Sequence, residues 1–372
     1  MLDRSHGLVA DRLRIAQVAP LYEAVPPRLY GGTERIVSYL TEELVRRGHD
    51  VTLFASGDSV TSARLVSGRE VSLRLDPEPL QSPIAAHLSM LDELRRCADE
   101  FDLIHFHLGH FLHFPFFEHC PEKTLTTQHG RLDYGDLPDA FARWPRFPLA
   151  SISMNQREPL RSANWVANVY HGLPPDRFPA TPPQPGGEPY LAFLGRISVE
   201  KRPDRAIEIA RRSGMKLKIA AKVDVDDRAY YQREIESMID GADIEYVGEV
   251  DEETKRDFLA NATALLFPID WPEPFGLVVI EAMAYGLPVI AWPHGSMPEV
   301  IDEGVSGFLV SSIEEAVARL EDVRKLDRAA IRRVFEERFS VGRMTDDYEA
   351  VYRDLRDGRL RAAEPLGVRS AQ

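Results

Sequence analysis

The feature that most constrains this chain is a regular alternation of short apolar runs and amphipathic segments from Tyr190 onward. Tyr190–Leu194, Leu217–Ala221, Ile244–Val247, Ala264–Phe267 and Val289–Ala291 have the length and composition of buried strands. Between them, residues 203–212, 228–239, 252–261 and 275–285 place apolar side chains at helical spacing. Strands apolar on both faces and separated by helices are joined by crossovers, so this half predicts a doubly wound parallel sheet. Helical segments near 313–323, 328–339 and 343–355 close it.

The first half repeats the theme less regularly. Arg14–Ala19 reads as a strand ended by Pro20, followed by a loop carrying Gly31 and Gly32. Ile36, Val37, Leu40 and Leu44 then recur at helical spacing, Gly48 stops the helix, and Val51–Ala55 is the next strand. Asp102–His107, Thr124–Thr127 and Ala150–Ser153 are further strands. Prolines and glycines crowd between Gly172 and Pro189, where apolar periodicity vanishes. The expected organisation is therefore a domain over 1–172, a linker over 173–189, a second domain over 190–342 and a polar, mobile tail over 357–372. The 372 residues suffice for two cores.

Composition narrows the partners. A formal net charge of -14 excludes a protein that wraps a nucleic-acid backbone. Two cysteines, Cys97 and Cys120, cannot build a disulfide framework or a four-thiolate zinc site, which fits a reducing compartment. No apolar stretch approaches a membrane span, and residues 1–11 show no secretory signal. The expectation is a cytoplasmic protein acting on small molecules, with at most peripheral contact at the inner face of the membrane.

In open parallel sheets, ligands bind beyond the carboxyl ends of the strands. Two such domains side by side would make a cleft, and the loops that follow the strands carry the informative residues. After the strand ending at Phe267 comes Asp270-Trp271-Pro272-Glu273-Pro274-Phe275-Gly276-Leu277, with Glu281 eight residues beyond Glu273. Pro274 suits the first helical turn, so the N–H groups of Phe275, Gly276 and Leu277 are expected to lack intrahelical partners and to favour an anion. On an ideal helix the two carboxylates stand about 12 Å apart along the axis, the scale of a nucleotide diphosphate sugar. The plain alternative makes Glu273 a first-turn acid and Glu281 a solvated one, although Glu281 is flanked by Ile280, Ala282 and Met283.

Arg196 leaves a strand end and Lys201 just precedes a helix, a pair able to neutralise a diphosphate. Surface cations at a helix start would look the same. Gly31-Gly32 could let backbone approach a ligand closely or could be an ordinary turn, and Glu34 could be a first-turn acid. His129 ends a strand beside Gly130. His105 and His107 share one face of a strand, where they could simply be packed; the histidine spacings make no persuasive metal set. Asp224-Val225-Asp226 spells a metal-binding pattern but sits in an acidic loop.

The Glu273…Glu281 segment resembles the Glu-x7-Glu motif of the retaining family-4 glycosyltransferases of bacterial type. The resemblance runs from about Arg14 to about Leu355, with several motifs agreeing in order. It implies a GT-B fold: two Rossmann-like, doubly wound parallel-sheet domains facing across a cleft, the first for the acceptor and the second for a nucleotide sugar. It implies that helix 343–356 packs back on the first domain. It assigns Arg196 and Lys201 to the donor phosphates, Gly31 and Gly32 to phosphates and reacting sugar, and His129 to the donor sugar. Glu273 would hold sugar hydroxyls, and Phe275, Gly276, Leu277 and Glu281 would bind the rest of the donor. The family often has glycine after the lysine; here Arg202 stands there. No metal and no other cofactor is implied, only the nucleotide diphosphate sugar as co-substrate.

The implied reaction is metal-independent sugar transfer to an acceptor hydroxyl with retention of anomeric configuration, a hexosyltransferase activity in glycan biosynthesis. A nucleotide-sugar 2-epimerase of the same fold and a non-catalytic sugar-nucleotide-binding protein are the alternatives. The acceptor, whether carbohydrate, lipid-linked glycan or small molecule, is not specified by the sequence, nor are the donor base, UDP or GDP among them, and the oligomeric state. Phe111, Phe114, Phe116 and Phe117 could line an acceptor groove, face lipid, or pack under a loop.

Overall fold

The computed structural model describes residues 12–28, 31–78, 81–179 and 187–360. The chain forms two compact units. One takes the chain up to Ile152, Arg157–Gly172 and the chain from Val341 on; the other takes Ser153–Gln156 and Leu173–Ser340. Part of the expected linker, residues 180–186, lies outside the described residues, as do residues 1–11 and the expected mobile tail from residue 361 on.

The first unit is built on seven strands: β1 (Arg14–Val18), β2 (Asp50–Ser56), β3 (Arg64–Arg69), β4 (Leu103–Phe106), β5 (Thr124–Thr127), β6 (Leu149–Ser151) and β7 (Trp165–Asn168). All pairings are parallel, in the order β3-β2-β1-β4-β5-β6-β7. Val18 pairs with Phe54 on one side and Phe106 on the other, so β1 and β4 finish level while β2 runs on to Ser56. The strand order reverses between β1 and β4, the position where such sheets open a crevice. Ile15, Ala16, Val18 and Ile104 are fully buried, as continuous apolar strands require.

Helix Gly32–Arg46 turns Ile36, Val37, Leu40 and Leu44 into this core and ends at Gly48, whose φ of 93° suits a residue without Cβ. Helix Val341–Arg356, distant in sequence, belongs to the same unit. The Arg47 guanidinium donates to the Gly342 carbonyl (2.9 Å) and to Asp346 (2.6 Å), tying the two helices together. Tyr348 and Tyr352 on the returning helix are fully buried. Phe114 and Phe117 are fully buried as well, Phe114 stacking on Phe147 at 4.0 Å, so these two residues are interior packing.

The second unit holds β8 (Tyr190–Arg196), β9 (Lys216–Lys222), β10 (Ile244–Gly248), β11 (Ala264–Phe267), β12 (Val289–Ala291) and β13 (Gly307–Leu309), parallel in the order β10-β9-β8-β11-β12-β13. Helices Pro203–Ser213, Glu252–Ala260, Leu277–Ala284, Ile313–Val323 and Arg328–Arg338 accompany it. The order reverses between β8 and β11. Residues 228–239, expected as one helix, are a succession of short α, π and 3-10 turns in which only Ile235 is fully buried. Tyr231, Ile235, Met238 and Ile239 still pack on the core, so the apolar spacing is kept although the backbone winds unevenly. Among the described residues, no helix is long and apolar enough to cross a membrane.

Candidate active site

The predicted site residues fall at the carboxyl ends of strands, divided between the units. Gly31, Gly32 and His129 are in the first; Arg196, Lys201, Glu273, Phe275, Gly276, Leu277 and Glu281 are in the second.

In the second unit, Lys201 and Glu273 come together across two loops. Lys201 Nζ donates to Glu273 Oε2, and the Trp271 indole N–H donates to the same oxygen at 3.0 Å. The ammonium also lies 5.1 Å from the Trp271 ring centre and 5.3 Å from that of Phe267. Both charged side chains are nearly buried, at 13% and 12% exposure. The result is a cation and a carboxylate against an aromatic wall, just beyond β8 and β11.

Two clamps hold this pair. Asp270 is the first: its N–H donates to the Glu200 carbonyl (2.8 Å), and its carboxylate receives Arg202 (2.8 Å) and Arg205 (3.0 Å). The Lys201 and Glu273 loops are thereby joined. Arg202 itself adopts a left-handed conformation, φ 53° and ψ 53°, at the cap of helix Pro203–Ser213. A glycine would adopt that conformation without cost. Arg202 sits there with its guanidinium fixed by Asp204 and Asp270.

The second clamp was not visible in the sequence. Gly295, in the loop after β12, has φ 60°, and a Cβ there would stand 2.2 Å from the Glu273 carbonyl oxygen and 2.3 Å from its nitrogen. Ser296 N–H donates to the Glu273 carbonyl (2.9 Å) and Ser296 Oγ to the Phe275 carbonyl (2.8 Å). The His294-Gly295 pair after a strand was the available signal. Its meaning depends on the Glu273 backbone lying against it.

The helix after Glu273 begins later than expected. Gly276 caps it with φ 85°, and Leu277 is the first helical residue, so Pro274 is not in the first turn. A side chain at Gly276 would meet the flexible end of Met297 at 2.9 Å, so it is the left-handed backbone that requires glycine. The N–H groups without intrahelical partners are therefore shifted to Leu277 and Val278. Phe275 is 2% exposed and packs edge-on against Phe339, so its side chain belongs to the core.

Glu281 is 3% exposed and accepts from Lys255 Nζ at 2.8 Å, a buried pair that the sequence does not signal because Lys255 stands among the charged residues Glu252, Glu253, Arg256 and Asp257 of its helix. Arg196 is ringed by carboxylates: Asp227 at 3.5 Å, Asp224 at 3.7 Å and Glu200 at 4.0 Å. Asp224, of the Asp-x-Asp pattern, also pairs with Lys222 at 2.8 Å, so this acid serves an ion-pair network.

In the first unit, Gly31 caps helix Gly32–Arg46, and a Cβ on it would meet Pro27 at 2.8 Å and the Glu34 carboxylate at 3.2 Å. Glu34 is 6% exposed, and burial pushes its carboxyl up to about 7. His129 follows β5. Its Nε2 lies 2.8 Å from His107 Nδ1, and its ring stacks on His171 at 5.1 Å. Burial drives the His129 imidazole down to about 3, so it is neutral at physiological pH.

Two Rossmann-like parallel-sheet units in one chain are the architecture of the GT-B fold. Comparison with known proteins carries this further. Residues 30–167 match the family model for Glycosyltransferase Family 4, and residues 176–337 match that for Glycosyl transferases group 1. The chain is a GT-B glycosyltransferase of the family-4-like kind. It is 25% identical over 342 residues to an uncharacterized glycosyltransferase of Methanocaldococcus jannaschii, spanning 80% of this chain and 85% of that protein. Sucrose-phosphate synthase from Thermosynechococcus elongatus superposes with a TM-score of 0.72 at 18% identity, covering 93% of this chain and 100% of that one. The Anabaena protein HepE, solved with UDP and glucose, superposes with a TM-score of 0.69 at 15% identity over 91% of this chain and 99% of that one. At these identities the two structures establish the fold.

Proposed function

We propose that this glycosyltransferase moves a hexose from a nucleoside diphosphate sugar to an acceptor hydroxyl, with retention at the anomeric carbon and no metal. The observation that carries the reading is the Lys201–Glu273–Trp271 cluster beyond β8 and β11, followed immediately by the amino end of helix Leu277–Ala284. Lys201, Arg196 and the Leu277 and Val278 N–H groups supply positive potential for a diphosphate. Glu273 is a buried acceptor of hydrogen bonds suited to sugar hydroxyls. Glu281, held at one oxygen by Lys255, serves the ribose. The nucleotide and sugar named for the Anabaena protein support a donor of this class.

In the reaction, the bond between the anomeric carbon and the diphosphate oxygen breaks and the acceptor oxygen bonds to the same face. The acceptor proton passes to the departing phosphate oxygen. The protein contributes position and electrostatics: Arg196 and Lys201 stabilise charge growing on the leaving group, and Glu273 and His129 hold the sugar. A thermal-shift screen against UDP, GDP and ADP sugars tests the donor class, since a ligand that binds only the native state raises its stability. Lys201→Ala should abolish the shift and lower kcat/KM by about 10²-fold or more; unchanged binding and turnover would refute the assignment. Glu273→Gln should retain nucleoside diphosphate binding and lose turnover. An isomerised nucleotide sugar formed without acceptor would indicate an epimerase instead.

A further inference from the structure

The buried polar groups of the first unit form one hydrogen-bond relay that ends at His129. Gln17, on β1, is fully buried. Its Nε2 donates to Tyr352 Oη at 3.1 Å, and its Oε1 lies 2.8 Å from His107 Nε2. An amide oxygen can only accept, so His107 carries its proton on Nε2. Burial, reinforced by the neighbouring histidines, drives the His107 imidazole well below its ordinary range, so the ring is neutral and its Nδ1 is bare. The bond between His107 Nδ1 and His129 Nε2 then has one direction: His129 donates. His129 Nδ1 is left unprotonated, buried and without a hydrogen-bond partner among the described residues.

The remaining groups agree with this direction. Tyr352 Oη donates to His105 Nδ1 (2.7 Å), His105 Nε2–H to Thr127 Oγ1 (2.7 Å), and Thr127 to Tyr348 Oη (2.9 Å). Reversing the relay would place an N–H at His129 Nδ1 with nothing to receive it, and orphaned buried N–H groups are rarer than orphaned acceptors. The Gln17 amide thus presents its N–H groups to Tyr352, which stands on the returning helix Val341–Arg356 and whose hydroxyl, donating to His105, is free to accept.

We infer that Gln17 and His107 are positioning residues that lock His129 as the neutral Nε2–H tautomer, so that its Nδ1 accepts a hydrogen bond from a hydroxyl of the donor sugar. The functional part rests on the reading of His129 as a sugar contact. A bare nitrogen discriminates by chemistry: it receives a sugar hydroxyl and repels a phosphate oxygen that has no proton to give. Its chemistry therefore suits the transferred sugar and not the diphosphate.

The test uses the full chain labelled with 15N-histidine. Long-range 15N–1H spectra report which ring nitrogen is protonated, and His129→Asn identifies the His129 signals. The expected spectrum shows a protonated Nε2 and a bare Nδ1. Tyr352→Phe removes the acceptor of the Gln17 N–H, lets the amide turn over and should produce a tautomer mixture. Gln17→Leu should do the same. With a working donor, both variants should lower kcat about tenfold, the worth of one hydrogen bond, with nucleoside diphosphate affinity unchanged. A wild-type His129 protonated on Nδ1, or a spectrum unaltered in Tyr352→Phe, would overturn the relay. A changed tautomer with unchanged kcat would overturn its positioning role. If no nucleotide sugar supports transfer, the functional reading fails while the spectra still decide the relay.

Discussion

Gly295→Ala is the sharpest perturbation of the site that leaves its chemistry untouched. The substitution adds one methyl group and no charge. Two effects follow from the structure. First, alanine must adopt φ 60°, which costs about 1–2 kcal/mol. Second, its Cβ would lie 2.2 Å from the Glu273 carbonyl oxygen and 2.3 Å from the Glu273 nitrogen. That is at least about 1 Å inside van der Waals separation. Backbone, not a flexible side-chain end, must yield, and the backbone that yields carries Glu273. A displacement of about 1 Å costs on the order of 10²-fold in rate when it misplaces a substrate-holding group.

The control is Gly214→Ala. Gly214 has φ 65° at the end of helix Pro203–Ser213, and a Cβ there meets nothing within 4 Å. Both variants share the conformational cost, about 2–4 °C in Tm per kcal/mol for a unit of this size. Only Gly295→Ala should also lose about 10²-fold in kcat/KM for the donor, with a larger fall in Tm. Chemical denaturation, thermal melting and initial rates would separate the effects. Equal behaviour of the two variants would refute the argument that the 292–296 loop positions Glu273.

The remaining expectations concern charge. Lys255→Ala leaves the Glu281 carboxylate buried without its cation and should cost about 3–5 kcal/mol by denaturant titration, most of it recovered by Lys255→Met with Glu281→Gln. Burial raises the Glu34 carboxyl from 4.5 to about 7, so between those pH values the native state holds a proton that the unfolded state has lost. Stability should therefore fall as pH rises through this window, by about 3 kcal/mol in total, and Glu34→Gln should flatten the slope. Asp227→Asn should tighten nucleoside diphosphate binding a few-fold, measured calorimetrically, by removing one competitor for Arg196; the pair is partly exposed and worth about 1 kcal/mol or less.

What the sequence revealed, and what it hid, follows from the range of the forces involved. Ala264–Phe267 was legible to the residue because burial on both faces writes an uninterrupted apolar run, and Thr124–Thr127 because three β-branched threonines around Leu125 favour a buried strand. β3 was not, since an edge strand reading Arg-Leu-Val-Ser-Gly-Arg is half exposed and carries no such run. Helix Leu277–Ala284 was legible but misplaced by two residues, because the proline rule for helix starts was overridden by a left-handed glycine three positions before Val279. Among the site residues, Lys201 and Glu273 were each conspicuous in their own loops. Their mutual contact depends on Asp270 and Gly295, whose roles exist only through partners 68 and 22 positions away. The same holds for Gln17, which reads as one polar residue in a strand and acquires meaning only from Tyr352, 335 positions on.

The arrangement also explains how a chain of net charge -14 can be suited to a dianionic group. Its candidate phosphate-binding cations are not bare: Lys201 is engaged by Glu273, and Arg196 is surrounded by Asp224, Asp227 and Glu200. In the proposed reaction, an arriving diphosphate replaces these carboxylates as the partner of the cations, and Glu273 is released toward sugar hydroxyls. The internal pair thus keeps both groups oriented before the donor binds. It also sets a cost that a mononucleotide without the sugar recovers only in part, because the Glu273 carboxylate then keeps only the Trp271 indole N–H in place of its cation. Discrimination between nucleotide sugar and nucleotide can therefore reside in a single ion pair whose cation and carboxylate must each find a new partner on the donor.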